Sequence, residues 1–249
     1  MGSTRSHAVN FIHDAILWLN DPLNWTNPNG ILSDLREHLI ISSLALLVAC
    51  AIGLPVGIWF GHAGRGGGAT VAFSNMTRAI PTYALLAVIY VAGITGIGAE
   101  SAVPALAIFG IPPILANAFT GIREVDPEVR DAARGMGMSG LQMLGRVELP
   151  LAVAYIAAGI RTAAVQIVAT ATLAALVAGG GLGDIIYAGF GQTIAVGGGQ
   201  ILAGGILVAV LALLVNGVLG IVVYYVTPKP LRGQRRSRRR ARRVAVEAA

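Results

Sequence analysis

The chain is poor in charge, cysteine and lysine, and each shortage excludes a class of protein. Charged residues make up 12% of its 249 residues, whereas soluble domains average roughly 25%, so the composition argues for a membrane protein. Cys50 is the only cysteine, which excludes an intrachain disulfide framework and a multi-cysteine metal site. The only lysine, Lys229, is followed by Pro230, so no glycine-rich loop ends in the Lys-Ser/Thr pair that binds nucleotide phosphates. The sequence therefore excludes a P-loop ATPase.

Residues for catalysis or metal binding are equally scarce. The four histidines are scattered over positions 7, 13, 38 and 62, and no HExxH or paired spacing typical of a metal site occurs. No Ser/His/Asp set converges at one membrane depth, so an intramembrane hydrolase is unsupported. We predict a protein that is not an enzyme and that binds no metal or cofactor of its own.

Apolar sequence, by contrast, is abundant, at 55% of the chain. A helix needs roughly 20 apolar residues to cross about 30 Å of hydrocarbon. The long apolar runs, uncharged except for Arg161 in the fourth, predict an all-α membrane protein with five spans, at 39–60, 79–97, 102–121, 151–177 and 201–226. The stretch 179–200 is so rich in glycine that it is interpreted as a loop or broken re-entrant segment. Residues 8–20 place apolar side chains at helical spacing and predict an interfacial helix.

Basic residues orient the predicted bundle. The C-terminal 21 residues, 229–249, hold nine of the 18 basic residues and a single acid, so the rest of the chain is nearly neutral. Because cytoplasmic loops are rich in arginine and lysine, we predict a cytoplasmic C-terminus, an external N-terminus, and cytoplasmic loops at 61–78 and 122–150. The chain is divided into an external segment (1–37), a transmembrane domain (38–227) and a tail (228–249).

The arginine-rich tail has no apolar periodicity and is predicted to be disordered. A basic segment held at a membrane meets anionic lipid, so lipid is favoured over nucleic acid as its partner. The alternative is a topology signal without a specific partner.

The loop at 122–150 is the longest polar stretch between the predicted spans. Asp126 followed by Pro127 favours a helix start, and the Gly135/Gly137 pair predicts a bend. A second short helix is expected to follow, with an apolar face of Leu141, Leu144 and Val147. Pro150 then marks the start of the next span. The prediction is two short helices that lie at an angle across the membrane surface.

This loop resembles the cytoplasmic signature of ABC importer permeases. That signature is Glu-Ala-Ala, three residues, Gly, nine residues and Ile-x-Leu-Pro. Here Asp replaces Glu, Val replaces Ile, and the spacing is kept. The resemblance implies the type I importer permease fold and a coupling helix that docks on a separate ATPase, which binds the ATP and magnesium. The implied coupling residues are Asp131, Ala132, Ala133, Gly137, Val147, Leu149 and Pro150. The alternative is an ordinary amphipathic surface loop.

A narrower resemblance covers residues 39–226. The phrases RAIPTYALLAV (78–88), AGIRTA (158–163) and GGGLGD (179–184) are similar to those of osmoprotectant permeases, which import glycine betaine, choline, carnitine or proline. Methionine-type permeases share GGGLGD and the five-span plan, so they remain the alternative. The resemblance implies a bacterial inner-membrane location. It also implies three kinds of partner: ATPase subunits, a second permease that is identical or paralogous, and an extracytoplasmic solute-binding protein.

A few polar residues are candidates for the translocation pathway. Arg161 lies about 16 Å along a helix from Pro150, near mid-membrane, so it is either a pathway or gate residue or part of a structural ion pair with Asp184 or a helix-end carbonyl. Gln166 and Thr170, four residues apart, are predicted to share a face of the same span. The candidates for the pathway and gate are Pro81, Thr82, Arg161, Gln166 and Thr170. Pro81 can also be a simple helix start.

The GGGLGD phrase is assigned to the external loop between the last two spans. Gly181, Gly183 and Asp184 are candidates for contact with the binding protein, while Asp184 can instead cap the helix that follows. Two other function classes are less favoured by the sequence. An ion-coupled secondary transporter needs inverted repeats and buried carboxylates, and the chain shows neither pattern. A membrane scaffold does not require the spaced loop signature.

Overall fold

The computed structural model describes residues 3–93, 96 and 98–228, and the regular structure within them is entirely helical. In chain order the helices are α1 (Ser3–Asn20), α2 (Pro22–Thr26), α3 (Ile31–Ala63), α4 (Gly67–Ala79), α5 (Thr82–Val91), α6 (Ala99–Arg123), α7 (Pro127–Gly135), α8 (Gly140–Met143), α9 (Leu149–Thr170), α10 (Gly183–Phe190) and α11 (Ile194–Val226). A π-helical turn (Leu144–Glu148) joins α8 to α9, and a 3-10 helix (Ala171–Val177) follows α9. The predicted all-α class is confirmed.

Four helical stretches among the described residues are long and apolar enough to cross a membrane: Pro22–Ala63, Ala99–Arg123, Gly140–Val177 and Val196–Val226. They contain four of the five predicted spans. The span predicted at 79–97 is different, because α4 ends at Ala79 and α5 has only 10 residues. Pro81 separates the two helices: a proline disfavours helical geometry in the residue before it, and Ile80 is extended at φ −83° and ψ 121°. The predicted second span therefore corresponds to α5, which begins directly after the break at Pro81 and is shorter than the predicted range 79–97.

The centre of the bundle is formed by α3, α6 and α9, whose contact surfaces are rich in alanine and glycine. Gly57 and Gly61 of α3 show how close the contact with α6 is. A Cβ at Gly57 would lie 2.6 Å from the Leu115 carbonyl oxygen, and one at Gly61 would lie 2.7 Å from Ile122 Cβ. Small residues four apart allow this approach of two backbones. α4 and α5 pack against α6, while α1 and α10 pack against α11.

The glycine-rich stretch 179–200 is mostly helical, so the loop interpretation was wrong, whereas the alternative of a broken segment agrees with the break between α10 and α11. It contains all of α10 and the first seven residues of α11. The glycines are contact residues: a Cβ at Gly197 would lie 2.1 Å from the Gly189 carbonyl oxygen, and one at Gly198 would lie 2.6 Å from the Phe11 ring. Helix packing thus offsets the low helix propensity of glycine.

The predicted N-terminal helix is present as α1, which is longer than the predicted range of 8–20. It lies along the first part of α11, where Ala15 is buried and the Asp14 backbone approaches Gly199. Its position at a membrane interface stays a prediction. The predictions for the arginine-rich tail concern residues that, from 229 onward, lie outside the described part of the chain.

Candidate coupling site and pathway residues

The first helix of the polar loop begins and ends where the sequence predicts. The Asp126 side chain caps α7 by accepting a hydrogen bond of 2.9 Å from the Glu128 N–H, and Pro127 occupies the first helical position. After α7, Gly137 has a φ of +80°. Glycine adopts this left-handed conformation without a steric penalty, so the predicted bend is confirmed and lies at Gly137.

The second short helix is not separate from the next span, in contrast to the prediction. Ser139 and Gln142 form a capping box at the start of α8, and the chain then continues through the π-helical turn into α9. The Leu149 N–H bonds to the Leu144 carbonyl, five residues back. Pro150 has no N–H to donate, and a π turn at this point carries the helix past the proline.

The predicted coupling residues fall into two groups. On α7, Asp131 and Ala132 are exposed while Ala133 is buried. Asp131 pairs at 2.9 Å with Arg134 of its own helix, and because both side chains are more than 60% exposed, this pair contributes little stability. The second group joins the loop to the span: Val147 lies in the π-helical turn, and Leu149 and Pro150 begin α9.

Three large apolar side chains of the polar loop are exposed in the described chain. Val129, Met136 and Leu141, called the bend patch here, are 42%, 71% and 75% exposed. Sequence reasoning placed Leu141 on one apolar face with Leu144 and Val147, but those two residues are half-buried. Several exposed apolar side chains on one polar loop are typical of a protein-binding surface.

A buried carboxylate that sequence reasoning missed lies between α7 and the end of α3. Glu148, in the π-helical turn, has a side chain that is 1% exposed. Its Oε2 is 2.6 Å from His62 Nδ1, at the end of α3, and its Oε1 is 3.1 Å from Arg130 Nε of α7. These three residues are called the Glu148 cluster. The sequence signal was the acid inside the Val-x-Leu-Pro phrase, but its partners are distant in sequence.

Arg161 is paired, although not with Asp184 as the ion-pair interpretation suggested. Its Nε–H donates a hydrogen bond of 2.8 Å to Asn216 Oδ1, which joins α9 to α11. Gly220, one turn after Asn216, leaves room for the guanidinium group, since a Cβ there would lie 3.1 Å from its central carbon. Within the described residues no carboxylate pairs with Arg161, so its partner is neutral.

The other pathway candidates do not meet at one point. The Gln166 amide reaches toward α6, 3.4 Å from the Phe109 carbonyl oxygen, and lines a small cavity with Thr77, Pro112 and Pro113. The Thr170 hydroxyl donates at 2.7 Å to the Gln166 carbonyl of its own helix.

At the break between α4 and α5, Pro81 is exposed and occupies the N-cap of α5, with Thr82 as the first helical residue. This geometry agrees with a helix start, and it leaves the predicted gate role open.

The candidate donor-contact loop is tightly folded. Gly181 has a φ of +87° and its N–H donates to Glu37 Oε2 at 3.3 Å. A Cβ at Gly183 would lie 2.1 Å from the Thr172 carbonyl oxygen. Asp184 lies within the first turn of α10, whose N-cap is Leu182, so the interpretation of Asp184 as the capping residue was wrong. Burial, and then the negative charge of Glu37, raise the pKa of the Asp184 carboxyl.

Known proteins share this architecture. Residues 53–227 match the family model described as "Binding-protein-dependent transport system inner membrane component". A glycine betaine/carnitine/choline transport system permease protein of Bacillus subtilis is 35% identical over 84% of this chain and 94% of its own length. A carnitine transport permease protein of Listeria monocytogenes is 36% identical over 84% and 94%, respectively.

A choline transport system permease protein of Bacillus subtilis is 33% identical over 82% of this chain and 91% of its own length. Among solved structures, an inward-facing methionine ABC transporter matches with a TM-score of 0.68 and 24% identity, over 80% of this chain and 96% of that one. At this identity the likeness concerns the fold alone, and it confirms the importer permease fold that the loop signature implied.

Proposed function

The chain belongs to the family of inner membrane components of binding-protein-dependent transport systems, and on that premise we propose that it is a permease subunit for import of a small osmoprotectant. Glycine betaine, choline and carnitine are the proposed solutes, because the similar permeases are named for them. Proline was suggested by the sequence phrases alone. A methionine-type permease is the competing proposal, and its support is a likeness of fold.

The observation that carries the proposal is the geometry of the polar loop. The loop bends at Gly137 and leaves Asp131, Ala132 and the bend patch exposed, and an ATPase subunit is the partner proposed to cover them. Small side chains on α7 allow close approach of a partner, and the apolar patch gains free energy when it is removed from water. The chain itself makes and breaks no bond; ATP hydrolysis is assigned to the ATPase.

The remaining assignments follow from an importer built of two permease subunits. A second copy or a paralogue completes the path, since one bundle is too small to enclose a route. Arg161, Gln166 and Thr170 are proposed to act along that path, and Pro81 and Thr82 at the break between α4 and α5. Gly181, Gly183 and Asp184 are proposed to contact the solute-binding protein.

The proposed location is the bacterial inner membrane, with the N-terminus outside and the C-terminus in the cytoplasm. The polar loop and the arginine-rich tail then lie on the same side, as the positive-inside rule requires. Anionic lipid is the proposed partner of the tail. Reporter fusions after Val226 and at residues 1–10 test this arrangement, and it fails if both report the same side.

The solute is tested by uptake of labelled glycine betaine, choline, carnitine, proline and methionine in cells with and without the gene. We expect gene-dependent uptake of at least one of the first three. Gene-dependent uptake of methionine alone would establish the competing proposal.

The coupling surface is tested by Gly137→Asp, with Gly145→Asp as the matched control. Both glycines are exposed, and neither has an atom within 4 Å of an added Cβ, but only Gly137 has a positive φ. We expect Gly137→Asp to insert in the membrane, to retain less ATPase during purification and to lose uptake, while Gly145→Asp retains both. Normal ATPase retention and uptake in Gly137→Asp would remove the coupling assignment and bring an ion-coupled transporter back into question.

A further inference from the structure

Glu148 lies where four helical elements meet behind the coupling loop. It belongs to the π-helical turn before α9, and its carboxylate contacts His62 at the end of α3 and Arg130 in the middle of α7. A second nitrogen of Arg130, Nη2, donates a hydrogen bond to the carbonyl oxygen of Ile122, near the end of α6. The Glu148 cluster therefore connects the coupling helix to three spans.

The two contacts of Glu148 differ in kind. Because an ionised carboxylate only accepts hydrogen bonds, His62 Nδ1 donates to Oε2, at a distance of 2.6 Å. Arg130 Nε and Glu148 Oε1 are 3.1 Å apart but are not aligned as a hydrogen bond. The contact between Arg130 and Glu148 is therefore an attraction between opposite charges. A small displacement of α7 changes the second contact without breaking the first.

Helix α7, the proposed coupling helix, has few other buried contacts with the described chain. Along α7 only Ala133 is buried and only Arg130 is half-buried, while the seven remaining residues are exposed. A buried carboxylate is stable only while its partners stay in place, so the position of Arg130 is tied to that of Glu148. Movement of α7 is thereby linked to the start of α9, and through His62 to α3.

We propose that Glu148 is a positioning residue for energy coupling, and that it transmits movement of α7 to the spans through Arg130 and His62. Glu148 touches neither solute nor nucleotide and acts only through these two side chains. The inference rests on the proposed function, because a coupling helix has meaning only in an ATP-driven importer. A purely structural ion pair would stabilise the subunit without affecting the amount of solute imported per ATP.

The test is Glu148→Gln in the complete transporter, reconstituted in vesicles with its ATPase and solute-binding protein. Glutamine keeps the shape and the hydrogen bond to His62 but removes the charge. We expect uptake per ATP hydrolysed to fall at least tenfold, with normal ATPase retention. The matched control is Glu124→Gln, an exposed carboxylate at the end of α6, for which we expect the wild-type ratio. A wild-type ratio in Glu148→Gln would overturn the inference.

A second variant separates positioning from simple charge balance. Arg130→Met combined with Glu148→Gln removes the cation that Glu148→Gln leaves unpaired, so we expect the double variant to accumulate in the membrane at wild-type level. Coupling should still be reduced at least tenfold, because α7 remains detached from α9. Recovery of a wild-type uptake ratio would show that only charge balance matters, and would overturn the proposal.

The conservative variant Arg130→Lys keeps the inference testable even where neutral variants assemble poorly. Lysine retains the charge for Glu148 but lacks the second arm that reaches the Ile122 carbonyl. Because lysine keeps the ion pair with Glu148, we expect uptake per ATP to stay within about threefold of the wild type at normal assembly. A loss of tenfold or more, as in Glu148→Gln, would contradict the proposal, since it would assign the coupling to the contact between Arg130 and the Ile122 carbonyl.

Amide hydrogen exchange of residues 127–135 in the purified transporter needs no transported substrate. It therefore tests this inference even if the proposed solutes are wrong. Exchange in Glu148→Gln should be at least fivefold faster than in the wild type, within α7 and not within α11. Unchanged exchange would overturn the link between Glu148 and the coupling helix. Absence of uptake of every osmoprotectant by the wild type would instead refute the proposed function.

Discussion

The two ends of α3 carry charged groups in opposite arrangements. At one end, the Glu148 carboxylate is buried between His62 and Arg130. At the other end, Asp34, Glu37 and Asp184 lie close enough for their charges to interact, and none of them forms an ion pair within the described residues. The first arrangement fixes helices relative to one another. The second holds like charges together, and only protonation or a basic partner relieves their repulsion.

The largest expected effect comes from removing one carboxylate at each end. Glu148→Leu leaves Arg130 and His62 beside an apolar side chain, and loss of one partner of a buried ion pair typically costs about 3–5 kcal/mol. Glu37→Leu, at the opposite end, loses the hydrogen bond from the Gly181 N–H but also relieves repulsion of Asp34 and Asp184, so the free energy of unfolding should change by about 1 kcal/mol or less. Thermal unfolding of the two purified variants measures the difference, and equal midpoints would show that the two ends do not differ energetically.

A smaller effect is expected at Arg161, whose partner Asn216 is neutral. A hydrogen bond from a charged group contributes about 1.5–3 kcal/mol, so Arg161→Ala should weaken contact between α9 and α11 and lower uptake. Arg161→Lys keeps the charge near mid-membrane and should retain part of the uptake rate. Initial uptake rates at matched subunit amounts are the measurement. Wild-type rates in both variants would show that the side chain reaches the membrane surface harmlessly.

Sequence reasoning succeeded where one local property decides the structure. The predicted spans within the four long apolar helices follow from runs whose single charge is Arg161, because a span must be predominantly apolar along its length. The start of α7 follows from Asp126 and Pro127, and the bend follows from Gly137, because caps and positive φ depend on neighbouring residues alone. The spacing of the loop signature was sufficient to identify the family.

Sequence reasoning failed where residues distant in the sequence determine the local structure. The glycines at 197–199 form a helix because Phe11 and Gly189 pack against that surface, and no local pattern reveals such partners. The role of Glu148 depends on His62, which is 86 residues away in the sequence. The position of Glu148 at the end of a span therefore did not indicate that its side chain is buried. Arg161 was recognised as a buried charge, but Asp184 was considered as a partner because neutral Asn216 carries no charge signal.

The smallest expected effect concerns pH at the carboxylate end of α3. The Asp184 carboxyl has a pKa raised above its ordinary value of 3.8 by burial and by Glu37, so the folded subunit holds this proton more tightly than the unfolded chain. Its contribution to stability is complete below the unfolded pKa and is lost as pH rises through the folded pKa. Asp184→Asn should therefore reduce the loss of thermal stability between pH 4 and neutral pH, whereas Glu124→Gln should follow the wild type. Identical pH profiles for Asp184→Asn and the wild type would show that no repulsion between carboxylates remains at this end of α3. The two ends of α3 would then differ only in how deeply their carboxylates are buried.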